Sequence, residues 1–508
     1  MTPVLRDYQL RAIAQLREQF RAGKRRVVLI MPTGGGKTIC AASMIHSALA
    51  RGNRSLFLAH RRELIDQTVD KLLSYGVNPG VIMASDSRRD DLLPVQVASI
   101  QTLVRRLDKK PPANLVVVDE CHHATSETYK KVMAAYDNAI IIGLTATPWR
   151  SDRVGLADIY ETSVLACTPA ELMTIGALVP YDVFAYDAPD LHQVRVTAGD
   201  FNQKDLAVAC NTKVIVGSIV QEYMAHAPGR RAIVFPVNIE HSKTLVEGFR
   251  ATGITAEHVD CDTPTTIRTS AMERFRHGNL IIISSVGVLT EGFDAPAAEV
   301  CILARPTKSL PLYLQMVGRV LRLSRETGKT RALIHDHSGN TLRHGFCDDA
   351  RDYALGATPE RVVALHTCPA CFQVFSTTKA GRCPHCHELI TVVDERASRG
   401  ERLGHEVIDG QRISRAEIEK IRDRRSDLGL MRELADHQIA RAAVASREQK
   451  AAEYLRLKNV AETKGFKPGF AAHQYREVFG VWPRFTDDDL MDVQPALKPF
   501  FPLERKRG

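Results

Sequence analysis

The 508-residue chain has no apolar run near the roughly 18 residues that a membrane-crossing helix needs, so no such helix is expected. Its opening, MTPVLRDYQLRAIAQ, lacks the charged-then-apolar order of a secretory signal. Long low-complexity tracts and fixed-period repeats are also missing, which sets aside repeat arrays and solenoids. A disulfide framework is missing as well. Of 11 cysteines, seven stand singly in apolar surroundings and four fall in two C-x-x-C units. Reduced thiols, one metal site and a cytoplasmic location are the expectation.

What is present is ordinary in bulk. Hydrophobic residues make up 44% and charged residues 25%, as in soluble globular proteins. At about 150 residues per domain the length suits about three domains. The net charge of +9 favours an anionic partner; charge alone does not say whether that is nucleic acid, and a merely basic soluble enzyme is the bland alternative.

Short apolar runs organise the first 340 residues. RVVLIM, SLFLAH, VQVASI, LVVVDE and AIIIGLT alternate with helix-like segments between 26 and 145. RRAIVF, LIIISS, VCILAR and RALIHD form a second series up to 336. Near-continuous apolar strands suit parallel sheets covered on both faces. Two tandem doubly wound α/β domains are therefore expected. After about 350 the strand pattern fades into a cysteine cluster, a charged helix-rich region and an aromatic tail. Ser414 and Glu417 read as a capping box there, with Ile413 and Ile418 at the staple positions. The helix they open carries no sustained heptad, so a coiled coil is not expected.

MPTGGGKT (31–38) follows a strand and opens a helix, the setting of a phosphate loop. Gly34, Gly35 and Gly36 let backbone N–H groups face phosphates. Lys37 would neutralise the β- and γ-phosphates of a nucleotide, and Thr38 would ligate Mg²⁺. Met31 stands where the strict pattern has glycine; a Gly-rich turn with an incidental Lys-Thr is the bland alternative. LVVVDECHH (115–123) ends a strand in two acids. Neighbouring side chains there point apart, so Asp119 can hold Mg²⁺ while Glu120 orients and deprotonates a water. A solvated carboxylate pair is the alternative.

These motifs, in their order along the chain, resemble the superfamily 2 DExH-type helicases and translocases. LRDYQ (5–9), LAHRREL (58–64), SIQTL (99–103), LTATP (144–148), LTEGFDAP (289–296) and QMVGRVLR (315–322) carry the resemblance. HDHSGNTLRHG (335–345) and the cysteines after it point to the XPB/RadD-like branch, with bacterial, phage and prophage members. A fourth, poorly patterned family element falls in AIVFPVNIEHS (232–242).

The resemblance implies two RecA-like domains, 1–165 and 212–350, joined by a connector at 166–211. It implies an adenine reader in Gln9 and further nucleotide contacts from Thr33, Gly292 and Asp294. Gln315, Arg319 and Arg322, on one helical face, would reach the γ-phosphate from the second domain, with Arg322 as the arginine finger. Arg61, Arg62, Ser99, Gln101, Thr102 and Thr290 would contact a nucleic-acid backbone without reading sequence. Caps, turns or salt bridges are equally compatible with these six.

Cys368, Cys371, Cys383 and Cys386 form two C-x-x-C knuckles able to present four thiolates to one structural Zn²⁺, in a ribbon over 364–392. The loop between them could bind nucleic acid through Lys379 and Arg382, or the ribbon could be a folding staple. A charged helical region, 393–463, follows, then a small module at 464–508 rich in aromatics: Phe466, Phe470, Tyr475, Phe479, Trp482 and Phe485. With Lys467, Arg476 and Arg484 these could stack bases, or simply pack a small core.

The function expected is an ATP-dependent helicase or translocase acting on single-stranded, duplex or branched DNA. It would work in repair, recombination or phage replication, alongside repair or replication proteins. A DNA-binding scaffold with incidental hydrolysis and an RNA helicase are the alternatives.

Overall fold

The computed structural model describes residues 3–84, 86–124, 126–149, 156–197, 199–289, 295–324, 326–357, 365–376 and 382–388, with 406–408, 411–413, 451, 454–459, 471 and 475 beyond them. The chain divides into two compact units, Met1–Ile390 and Thr391–Gly508.

Among the described residues, the first unit holds two large sheets and two small hairpins. One contains β1 (Arg26–Ile30), β2 (Ser55–Ala59), β3 (Gly80–Ile82), β4 (Val95–Ser99), β5 (Leu115–Val118), β6 (Ile140–Thr145) and β7 (Thr162–Leu165). Their order is β3-β4-β2-β5-β6-β1-β7, with every pairing parallel. The central strands are mostly apolar and almost wholly buried, because helices cover both faces. Each fully buried Val, Leu or Ile contributes ~1.5–3 kcal/mol, so the middle of the sheet anchors everything attached to its strand ends.

The other sheet contains β8 (Tyr181–Ala185), β11 (Ala232–Phe235), β12 (Ala256–Val259), β13 (Ile282–Ser285), β14 (Val300–Leu303) and β15 (Ala332–Asp336). The order is β12-β13-β11-β14-β15-β8, again all parallel. Between β8 and β11 stand a two-strand hairpin, β9 (Val196–Thr197) with β10 (Asp200–Phe201), and the helices Gln203–Cys210 and Lys213–His226. Residues 166–211 are thus more than a connector: β8 lies inside that stretch and forms an edge of the second sheet.

A last hairpin, β16 (Leu365–Thr367) with β17 (Val374–Ser376), belongs to the cysteine ribbon. It docks on β8, where Ala185 N donates to Phe372 O (2.9 Å) and Phe184 forms an antiparallel bridge with Gln373. The His385 ring stands edge-on to Phe184, centroids 5.5 Å apart. The ribbon therefore covers a sheet edge that would otherwise present free backbone groups.

In the second unit, Glu406–Ile408 pairs with Gln411–Ile413, and Leu457, Ala471 and Tyr475 form a small buried cluster with Tyr454 against it. Tyr475, the described member of the aromatic tail, is packed rather than offered to solvent. The capping box at Ser414 and Glu417 and the other tail aromatics lie outside the described residues. Among the described residues, no helix is long and apolar enough to cross a membrane.

Candidate functional site

The phosphate loop grows from the end of β1. Met31 N still pairs with Thr145 O (3.0 Å), so Met31 is the strand's continuation and is fully buried. Its side chain sits under Gly35, where an added Cβ would meet Met31 Cγ at 2.6 Å. The departure from glycine at this position thus fills core space and leaves the loop itself intact. Gly34 and Gly36 adopt φ of +87° and +90°, the left-handed region that L side chains rarely enter. Gly36 caps the helix Lys37–Leu49. Lys37 Nζ folds over the loop, donating to Met31 O (3.2 Å) and standing 3.9 Å from Glu120 Oε1.

Gln9, only 4% exposed, reaches this loop from the helix Asp7–Arg21. Its Nε2 donates to Gly35 O (2.9 Å), while its Oε1 accepts from Arg6 N (2.9 Å). Tyr8 Oη donates to the same Gly35 carbonyl (2.8 Å). The pair fastens the first helix to the loop.

The acids follow β5. Asp119 N pairs with Leu58 O (2.9 Å), extending the strand, and its side chain is buried. Glu120 then enters the left-handed region, with φ +45° and ψ +53°. A non-glycine residue held there costs ~1–3 kcal/mol, and the reversal turns the second acid away from the first. Glu120 Oε2 lies 3.3 Å from His122 Nδ1, which lies 3.3 Å from Thr145 Oγ1. Thr145 Oγ1 donates to Thr147 O (2.8 Å) and accepts from Thr147 N (3.1 Å). A continuous polar chain therefore runs from Lys37 through Glu120 and His122 into LTATP. Tyr8 and His122 were not singled out from the sequence, although the fourth position of DECH was a signal for His122.

The second lobe corrects one expectation. Gln315 lies on the helix Leu310–Gly318, but that helix stops before Arg319, so the three polar residues do not share two helical turns. Arg322 lies beyond it, in an antiparallel bridge with Leu178, and Val179 N donates to Leu321 O (2.8 Å). The bridge, not helical periodicity, aims Arg322. A Cβ added at Gly34 would stand 3.4 Å from Arg322 Cγ and 2.7 Å from Leu178 Cδ2. One added at Gly318 would stand 2.8 Å from Thr33 Cβ. Gln315 and Arg319 are both buried. The two lobes thus meet at the phosphate loop, around a cavity of about 30 Å³ lined by Pro32, Thr33, Thr147, Leu314, Gly318 and Leu321.

The other expected contacts gather at neighbouring strand ends. Ser99 Oγ donates to Gln101 Oε1 (2.8 Å), Gln101 Nε2 to His60 O (3.3 Å), and Thr102 Oγ1 accepts from Ala84 N (3.3 Å). Arg61 Nη1 crosses to Gly287 O (2.5 Å) in the other lobe, and Arg268 Nη2 pairs with Glu63 Oε1 (2.8 Å). Arg62 pairs with Asp86 (3.3 Å), whose carboxyl is held at about 2 chiefly by the hydrogen bond from Arg88. Thr290, Gly292 and Asp294 lie outside the described residues.

The cysteines form two matching knuckles. Phe372 N donates to Cys368 O (2.9 Å) and Cys368 N to Gln373 O (2.9 Å); His387 N donates to Cys383 O (3.0 Å) and Cys383 N to Glu388 O (2.8 Å). Phe372 and His387 share φ near +60°. Cys368 and Cys386 Sγ stand 3.6 Å apart, as do Cys371 and Cys383 Sγ, and all four lie within 4.8 Å of one another. With Zn–S near 2.3 Å, a tetrahedron puts sulfurs about 3.8 Å apart, so the donor set fits one Zn²⁺. Arg382 is engaged with His387 O (3.2 Å), and Lys379 lies outside the described residues.

Two parallel-sheet lobes with a phosphate loop on one and an arginine from the other define a two-lobe P-loop ATPase. Residues 2–150 match the family described as type III restriction enzyme, res subunit, and residues 216–324 match the helicase conserved C-terminal domain. A 51.5 kDa protein of a Lactococcus phage is 33% identical over 347 residues, covering 67% of this chain and 73% of its own. IRC3 of Saccharomyces cerevisiae is 32% identical over 347 residues, 63% of this chain and 50% of its own. The DNA 3'-5' translocase XPB2 of Sulfurisphaera tokodaii is 24% identical over 364 residues, 63% of this chain and 78% of its own. The chain thus spans only half the length of the yeast relative. The chain belongs to the superfamily 2 helicases, and is an ATPase of that nucleic-acid-dependent class.

Proposed function

We propose that the chain is an ATP-dependent DNA helicase or translocase that remodels duplex or branched DNA in repair, recombination or phage replication. The observation that carries this reading is Arg322 of one lobe lying against Gly34 of the other. Lys37 and Arg322 would approach the phosphates from opposite walls of the seam, and Glu120 would take a proton from the attacking water. Mg²⁺, which neutralises charge on the β- and γ-phosphates when bound, would be held by Thr38 and Asp119. Gln9 would read adenine while steadying the loop. A seam this tight must open to admit a nucleotide, so each turnover would move one lobe against the other.

That motion would be felt by a strand lying across Arg61, Ser99, Gln101 and Thr102, with Arg62 at the rim. The Arg61–Gly287 and Arg268–Glu63 contacts join the lobes beside those residues. Hydroxyl, amide and guanidinium groups there suit phosphate oxygens and carry no base information. The basic balance of the chain and the named translocase among its relatives favour DNA.

The test is ATP hydrolysis with no polymer, single-stranded DNA, duplex DNA, forked DNA or RNA, each at two salt concentrations. DNA is expected to stimulate turnover, with affinity falling steeply as salt rises. Stimulation by RNA alone would replace the DNA reading, and none by any polymer would favour a scaffold. The ribbon, docked on β8, acts in this reading as a zinc-dependent staple on the second lobe. Metal analysis of freshly purified reduced protein should then find close to one zinc per chain, and none in a Cys371→Ser, Cys386→Ser double variant. A metal-free wild-type protein removes the zinc assignment.

A further inference from the structure

Lys329 is a lysine where lysines are rare. It is 6% exposed, in the turn between the arginine segment and β15. Its Nζ donates to three backbone carbonyls: Pro296 O (2.9 Å), Ala298 O (2.6 Å) and Val320 O (2.8 Å). An ammonium has three N–H donors, and all three are placed. Burial pushes its pKa down, to about 7, with Arg230 and Arg322 adding to the fall and Glu299 opposing it. Such a side chain is retained only if its hydrogen bonds offset the desolvation.

The three acceptors come from two different segments. Pro296 closes LTEGFDAP, and Ala298 lies just before β14. Val320 lies between Arg319 and Leu321, past the end of the helix at Gly318, where no helical N–H follows to take its carbonyl. The turn that presents Lys329 is itself fixed, Thr327 N donating to Ser324 Oγ (3.3 Å) and Lys329 N to Thr327 Oγ1 (3.3 Å). In the same strip, Leu178 bridges Arg322. The strip Arg319–Arg322 is therefore held at Arg322 by the bridge and at Val320 by the ammonium.

We infer that Lys329 is a positioning residue for hydrolysis, its ammonium fastening the arginine segment to the end of LTEGFDAP so that Arg322 stays aimed at the phosphate loop. The inference rests on the proposed role of Arg322. It links the two late motifs at one atom, so a shift of either would be felt by the other. Charge-assisted bonds of this kind are stronger than neutral ones, and a buried carbonyl left without its donor is costly.

The test is Lys329→Met, of similar shape and without donors, beside Lys329→Gln, which keeps two N–H donors. The methionine variant is expected to lose about 100-fold in kcat, the scale of a misplaced reacting group, with KM for ATP within about threefold of wild type. The glutamine variant should fall between them. Placed on Arg322→Ala, Lys329→Met should add nothing, because it acts through that arginine. Equal losses in either background, a parallel collapse of kcat, KM and melting temperature, or methionine turnover near wild type would each overturn the inference. If the methionine variant does not fold, the glutamine variant carries the same comparison alone and in the Arg322→Ala background. Wild type and Lys37→Ala run alongside. A wild type no faster than Lys37→Ala would fault the ATPase reading, not Lys329.

Discussion

Replacing Arg322 with alanine is expected to lower kcat for ATP hydrolysis by about 10³-fold, the low end of what an arginine finger supplies, while ATP binding weakens far less. The reason is geometric. The arginine stem lies against Gly34, on the mouth of the phosphate loop, and is supplied by the other lobe. In the proposed role it would stabilise charge that develops on the γ-phosphate without being needed for the contacts that Lys37 and the loop backbone would make in the ground state. A loss confined to the transition state lowers kcat and leaves KM nearly unchanged. Arg322→Lys keeps the charge but loses the planar fork, so it should recover only part of the rate. Nucleotide titration beside steady-state turnover separates the two effects. Turnover comparable to wild type would mean that another arginine, Arg319 first, does this work.

Glu120→Gln is the second large effect, an expected loss of about 10²–10⁴ in kcat with ATP affinity retained. The substitution is isosteric and can keep its one amide oxygen toward Lys37, 3.9 Å away, with the amide nitrogen toward His122, 3.3 Å away, but it cannot take a proton. Its left-handed backbone points the side chain out of the strand line, a strained placement expected of a group held for chemistry. A single-turnover measurement isolates the hydrolytic step from product release. A rate within a few-fold of wild type would assign the base elsewhere and leave Glu120 as a link between Lys37 and the LTATP segment.

The strands legible in the sequence were the buried central ones. RVVLIM, SLFLAH, VQVASI, LVVVDE and AIIIGLT became β1, β2, β4, β5 and β6, and the second series gave β11, β13, β14 and β15. The four absent from that reading, β3, β7, β8 and β12, are the outer strands of the two sheets. An edge strand has one neighbour and a partly exposed face, so it needs no continuous apolar run; AEHV in β12 and YDVFA in β8 show as much. The same reason hid β8 inside an apparent connector. The candidate site divided in a similar way. Lys37 opens the helix after β1, and Asp119 and Glu120 follow β5, so their positions beside central strands were legible. The expected face of Gln315, Arg319 and Arg322 assumed a helix that stops at Gly318.

Alone, the sequence determined the local chemistry: a glycine-rich turn carrying Lys-Thr, an acid pair closing an apolar strand, four thiols in two knuckles, and two runs of parallel strands. Each is set by residues a few positions apart, whose mutual geometry backbone stereochemistry fixes. The tertiary structure alone decided which distant groups meet: Arg322 on Gly34 by way of Leu178, Gln9 and Tyr8 on one loop carbonyl, Lys329 on three carbonyls from two segments, and the ribbon on the edge of β8. No helix or strand period predicts these contacts; they exist because packing brings loops, strand ends and a sheet edge together, and Arg322 meets Gly34 because the two sheets lie side by side with their strand ends at a common seam.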